Sequence, residues 1–109
     1  MTKITIITLT LNSKRTIKDN IKSVNNQSYK NIEHLCIDTL SKDGTYEILK
    51  KNKKKNRKIL KSEVYGVYRN LNRATNIAKG GIIGVLHSDD IFYNNKILKS
   101  ISKKLKNKN

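Results

Sequence analysis

Lys-Ile-Thr-Ile-Ile-Thr-Leu-Thr-Leu, at positions 3–11, is β-branched and almost continuously apolar. A strand with one face in water alternates apolar and polar residues, whereas a run like this one suits a strand covered on both faces. It is therefore read as the central strand of an α/β layered fold, with helices above and below the sheet.

The rest of the chain alternates helix and strand. Ser13 can cap a helix running to about residue 25, with Ile17, Ile21 and Val24 on one face. Residues 27–31 form a polar turn and 32–38 a second strand. After a loop at 39–43, a second helix runs from about residue 45 into a lysine-rich stretch, with Ile48 and Leu49 inward. Residues 58–62 form a short third strand. A third helix covers about 68–78, with a narrow apolar stripe of Leu71, Ala74 and Ala78, and Lys79-Gly80-Gly81 stops it. Residues 82–86 form the fourth strand. A final amphipathic helix covers about 95–106, with Ile97, Leu98, Ile101 and Leu105 inward, and a basic tail occupies about 103–109. The expectation is one α/β domain over 1–109, a Rossmann-like parallel sheet flanked by helices. Right-handed βαβ crossovers allow the strand order 3-2-1-4, with the topological switch point between strands 1 and 4.

Ligands of such sheets bind at the switch point, beyond the carboxyl ends of the strands. Residues 8–12, Asp38 and residues 88–90 are delivered there. Of 8 Asp and Glu in the chain, Asp38, Asp43, Asp89 and Asp90 follow strands 2 and 4. Adjacent Asp89 and Asp90 repel one another unless a cation sits beside them. The available ligands are oxygens, which favours Mg2+ or Mn2+ over zinc, and such an ion completes its shell with water and phosphate oxygens. A metal diphosphate is the natural guest. Local readings stand beside this one: Asp89 and Asp90 as helix-capping residues, Asp38 as a strand-end hydrogen-bond acceptor, and Asp43-Gly44-Thr45 as the turn opening the second helix. Neither His34 nor His87 has a partner at metal-ligand spacing. No dinucleotide or P-loop fingerprint follows strand 1.

A formal net charge of +16 raises the question of polyanions. Eight basic residues fall within positions 50–61 and six within 96–108. Such runs read first as solvated faces, and the few aromatic residues do not interleave with them, so specific nucleic-acid binding is not expected. Peripheral contact with an anionic membrane is allowed. A lone Cys36 inside an apolar run is read as a small buried hydrophobe in a reducing compartment. The apolar stretch 4–11 is broken by threonines and has no cleavage site, so a cytoplasmic protein is expected, touching at most the inner face of the membrane.

The segments Ile4 to Ser13, Gln27 to Glu33, Asp38 to Thr45, Gly66-Val67-Tyr68 with Asn72, Gly81 to Gly84 and Ser88-Asp89-Asp90 occur in this order. Together they resemble the N-terminal, nucleotide-sugar-binding half of family 2 glycosyltransferases. The resemblance implies a GT-A fold, truncated here, and a UDP- or GDP-linked sugar donor used to build cell-envelope polysaccharide. It places Thr8 and Asn12 along the nucleotide, Asp38 at the base, Asp89 near the ribose and Asp90 on the metal, with Ser88 among the nucleotide-sugar-binding residues. Leu9 and Leu11 stand where the family usually has proline and tyrosine, Leu40 replaces a glycine, and Arg69 stands where an acidic residue is common. The family's general base and acceptor site lie in a following half, so the catalytic base is expected beyond residue 109. The apolar edge of strand 4 predicts self-association, a partner chain or marginal stability, and the alternative reading is a non-catalytic remnant or binding module of the same fold that needs a partner chain.

Overall fold

A computed structural model describes residues 1–106. The chain forms β1 (Ile4–Thr10), α1 (Ile17–Asn25), β2 (Ile32–Thr39), α2 (Thr45–Lys51), β3 (Arg57–Ser62), α3 (Val67–Ile77), β4 (Ile82–Val85) and α4 (Ile97–Lys106). The four strands lie in the order β3-β2-β1-β4 and every pairing is parallel. Ile4 pairs with both Ile32 and Ile82, so all the carboxyl ends point the same way.

Alternation along the strands divides the core into layers. Ile7, Leu35 and Ile37 pack with Ala74 of α3 on one face, with Leu9, Leu60 and Leu71 around them. On the other face Ile17 and Ile21 of α1 meet Cys36 and Leu49. Beside them Ile4, Ile6, Val24, Tyr29 and Ile32 surround Leu98 of α4. Cys36 is 0% exposed, as expected of a small buried hydrophobe, and burial pushes its thiol pKa up to about 12.

Several boundaries differ from the sequence expectation, each for a local reason. Ser13 does not cap α1. Its carbonyl accepts from the N–H groups of Thr16 and Ile17, so residues 13–16 form a turn and the helix begins at Ile17. β3 begins one residue early because Arg57 is buried in register with His34. In α4 only Leu98 is buried; Ile101 and Leu105 remain 37% and 43% exposed because the sheet beneath them ends at β4. Lys103 to Lys106 belong to α4 and are not tail, while 107–109 lie outside the described residues.

The α3–β4 connection depends on Gly80. A Cβ there would lie 2.6 Å from both the backbone nitrogen and the Oγ1 of Thr5. That close approach lets the Gly80 N–H donate to Thr5 Oγ1, which itself donates to Glu33.

Candidate active site

The loops after β1, β2 and β4 meet at the carboxyl ends and are stitched together side chain by side chain. Asp38 Oδ1 accepts from the hydroxyls of Thr10 and Ser41, both at 2.6 Å, and Oδ2 accepts from the Ser41 N–H at 3.1 Å. The Asn12 N–H donates to Ser41 Oγ, and Asn12 Oδ1 accepts from the Lys42 N–H, both at 2.8 Å. The Ser13 N–H donates to Thr45 Oγ1 at 2.8 Å, and the Ser13 hydroxyl donates to Ser88 Oγ at 2.9 Å. Ser13 thus links all three loops.

Asp43 opens α2 as read from the sequence. Its carboxylate accepts from the N–H and hydroxyl of Thr45 and from the N–H of Lys14. The Thr45 hydroxyl bond is the main cause holding its pKa below the usual carboxylate range. Gly44, at φ 99°, occupies the helix-entry position.

Two non-glycine residues here are left-handed, Asn12 at φ 52° and Leu40 at φ 51°. Asn tolerates this conformation, whereas Leu gains nothing locally to offset a cost of roughly 1 kcal/mol. Leu40 is 40% exposed, so little packing is lost on replacement. Leu40→Asn is expected to raise stability by roughly 0.5–1 kcal/mol, read from the urea midpoint. A lowered midpoint would show that packing of Leu40 outweighs its backbone strain.

Between these loops and α3 lies an open cleft made of two adjoining hollows, about 450 and 250 Å3, which share Leu9, Ser13, Val67 and Ser88. Asn12, Arg15, His87 and Asp89 line the larger, and Thr10, Thr39, Tyr65 and Asn70 the smaller. A hollow of about 560 Å3 lies at the opposite end of the sheet beside Met1 and Leu105, but it has no carboxylate in its lining. The site chemistry belongs to the cleft.

The structure brings Asn12, Ser88 and Asp89 to the cleft wall, and Asp90 follows directly with an exposed side chain. It gives Thr8 and Asp38 other places. Thr8 is 0% exposed, because strand alternation turns it to the α1 face, where its Oγ1 lies 2.9 Å from His34 Nε2. Asp38 is 1% exposed and spends its oxygens on the strand-end bonds above. Neither lines the cleft, and Leu9 and Thr10 are the β1 residues that do.

Asn20 escaped the sequence reading. Fully buried on α1, it donates from Nδ2 to the carbonyls of His87 (2.8 Å) and Asp90 (3.2 Å), which fixes the acidic loop to the helix. Its position three residues after Ile17 and one before Ile21, on the buried face, was the available signal. Arg15, Ser13 and Tyr65 also lacked any local mark of their place in the cleft.

Among the described residues, no three His, Cys, Asp or Glu side chains are grouped to hold a metal by themselves. A magnesium-like ion does not need such a group, since one or two carboxylates with water and phosphate oxygens suffice. The adjacent exposed carboxylates of Asp89 and Asp90 fit that donor set.

The sequence matches Glycosyl transferase family 2 over residues 5–109, and the chain belongs to that family. It is 36% identical over 102 residues to the Escherichia coli UDP-Glc:alpha-D-GlcNAc-diphosphoundecaprenol beta-1,3-glucosyltransferase WfaP, covering 93% of this chain and 41% of that protein. It is 31% identical over 101 residues to the putative teichuronic acid biosynthesis glycosyltransferase TuaG of Bacillus subtilis, covering 90% of this chain and 40% of that protein. The chain therefore spans about two fifths of the length of these curated relatives. Its fold superposes on S. aureus TarS 1-349 in complex with UDP with a TM-score of 0.87 at 28% identity, covering 95% of this chain and 32% of that one. It also superposes on the mannosyltransferase PcManGT from Pyrobaculum calidifontis, in complex with GDP-Man and Mn2+, with a TM-score of 0.88. There the identity is 22%, with 98% of this chain and 33% of that one covered, and the likeness is one of fold. The sheet and its helices are thus the N-terminal part of a GT-A structure, as the sequence implied. No described helix is long and apolar enough to cross a membrane.

Proposed function

We propose that this family 2 glycosyltransferase domain binds a UDP- or GDP-linked sugar in the cleft beyond β1, β2 and β4, for transfer to an acceptor in the making of cell-envelope polysaccharide. The observation that carries the proposal is the convergence of Asn12, Ser88 and Asp89 on one open cleft, with the exposed Asp90 next in the chain. Asn12 and Ser88 offer amide and hydroxyl groups to the nucleotide, Asp89 an acceptor to the ribose hydroxyls, and Arg15 a cation to the diphosphate. Thr10, Ser41 and Asp38 hold the base end of the cleft in shape. Asp90, with Asp89 beside it, would hold Mg2+ or Mn2+. When bound, such an ion neutralises charge on the leaving diphosphate. The complexes of TarS with UDP and with UDP-GlcNAc, and of PcManGT with GDP-Man and Mn2+, support the ligand class. The place of work proposed is the cytoplasmic face of a membrane.

A second reading, a binding module that works with a partner chain or a second copy, is favoured by the β4 edge. Ile83 and Val85 there are 43% and 48% exposed, and an uncovered apolar edge drives association. Light scattering of the ligand-binding sample distinguishes a monomer from an assembly.

Adding UDP with Mg2+ to isotope-labelled protein is expected to move the amide signals of Asn12, Ser13, Ser88 and Asp89 and to leave those of Lys3 and Lys30 in place. Shifts confined to the amino end of the sheet would refute the site.

A further inference from the structure

At the amino ends of the strands, away from the cleft, is a hollow of about 430 Å3 lined by Lys3, Lys30, Lys54, Lys55, Lys58 and Lys79. Only Lys54, Lys55 and Lys58 come from the lysine-rich stretch. Lys3 precedes β1, Lys30 precedes β2 and Lys79 precedes β4, so four separate segments bring ammonium groups to one concavity. A solvated lysine run has no reason to be joined by lysines from three other loops.

The carboxylate in the lining, Glu33, does not answer this charge one for one. It is 8% exposed, and its Oε1 accepts from the Thr5 hydroxyl and the Lys79 N–H, both at 2.8 Å. Six lysines against one carboxylate leave the lining at +5. Like charges gathered at one place repel, and a multiply charged anion seated among them removes that repulsion. A concave, lysine-lined wall without aromatic side chains suits phosphate oxygens better than stacked bases.

We infer that this hollow is a second ligand site, which takes a compact, multiply charged phosphate group, either free or carried on a lipid headgroup. It is separate from the nucleotide cleft and does not depend on it.

The test compares Lys30→Gln/Lys79→Gln with Lys103→Gln/Lys104→Gln, which removes the same charge from α4. Each variant is titrated calorimetrically with inorganic tripolyphosphate and with vesicles of phosphatidylglycerol in phosphatidylcholine, at near-physiological salt. All four lysines are exposed, and thermal melts confirm that the variants are folded. The Lys30/Lys79 variant is expected to bind tripolyphosphate roughly ten-fold more weakly than the parent, and the α4 variant within about two-fold. If vesicle binding falls in parallel and tripolyphosphate releases the protein from vesicles, the phosphate is a headgroup's. If only tripolyphosphate binding falls, it is a free phosphate. Equal weakening in the two variants, or none in either, overturns the site in favour of diffuse charge. Duplex DNA bound more tightly than tripolyphosphate, and weakened ten-fold by the Lys30/Lys79 change, overturns it in favour of nucleic acid.

Discussion

Asn20→Asp, an exchange of one side-chain group for another of the same shape, is expected to destabilise the protein by roughly 3 kcal/mol or more. Asn20 is fully buried, and its Nδ2 holds the carbonyls of His87 and Asp90 while its Oδ1 has no partner. An aspartate would point acceptors at two carbonyls with no donor in return, so it must stay charged in the interior or take up a proton. Asn20→Ala removes the same bonds without adding charge, and its expected cost is roughly 1–3 kcal/mol. The order of stability is therefore Asn above Ala above Asp, measured by urea unfolding. Both variants should also weaken nucleotide binding, because the loop bearing Ser88, Asp89 and Asp90 loses its tie to α1. An Asp variant as stable as the Ala variant would show that the Nδ2 bonds do not set the loop.

Acid should act on a second buried group. Arg57, 2% exposed, donates from Nε to His34 Nδ1 at 2.9 Å, from Nη1 to the Asn52 carbonyl at 3.1 Å and from Nη2 to Asn25 Oδ1 at 2.6 Å. A guanidinium can only donate, so His34 Nδ1 must be bare and its proton must sit on Nε2, facing Thr8 Oγ1. Burial first, and Arg57 second, lower the His34 pKa from 6.5 to about 3. The neutral ring is thus favoured in the folded state. Its contribution is complete above pH 6.5 and is lost as pH falls from there towards 3, by on the order of 3 kcal/mol at pH 4. His34→Asn keeps an acceptor for Arg57 and cannot titrate in this range. Urea midpoints of the parent should therefore drop more steeply than those of His34→Asn between pH 7 and 4. Parallel profiles would contradict the buried neutral histidine.

The sheet order and the two acidic loops were legible because they rest on local periodicity and on the handedness of βαβ crossovers. Isoleucines at positions 4, 6 and 7 already mark a strand covered twice, and Asp38 and residues 88–90 can only emerge at its carboxyl side. Depth along a strand was less legible. Thr8 and Leu9 are neighbours with opposite fates, and which of them faces the cleft depends on which helix covers which face. The links between distant segments could not be read at all. Ser13 to Ser88 and Asn20 to Asp90 join residues about seventy positions apart, and nothing in either segment names the other. The His34–Arg57 contact similarly made a lysine-run residue into a core residue. Cys36 and Asp43, whose environments are set by their own strand and turn, were read as they are found.

If the cleft takes a nucleotide together with a metal ion, Asp90 is the residue that holds the metal. Calorimetric titration of UDP and GDP into the protein, with Mn2+ and again with EDTA, tests it most directly when repeated on Asp90→Ala. Binding of at least one nucleotide is expected to be tight with Mn2+, at least ten-fold weaker with EDTA, and reduced in Asp90→Ala to the EDTA level whether or not Mn2+ is present. Equal affinity with Mn2+ and EDTA, or an Asp90→Ala variant that keeps the full metal dependence, would contradict it.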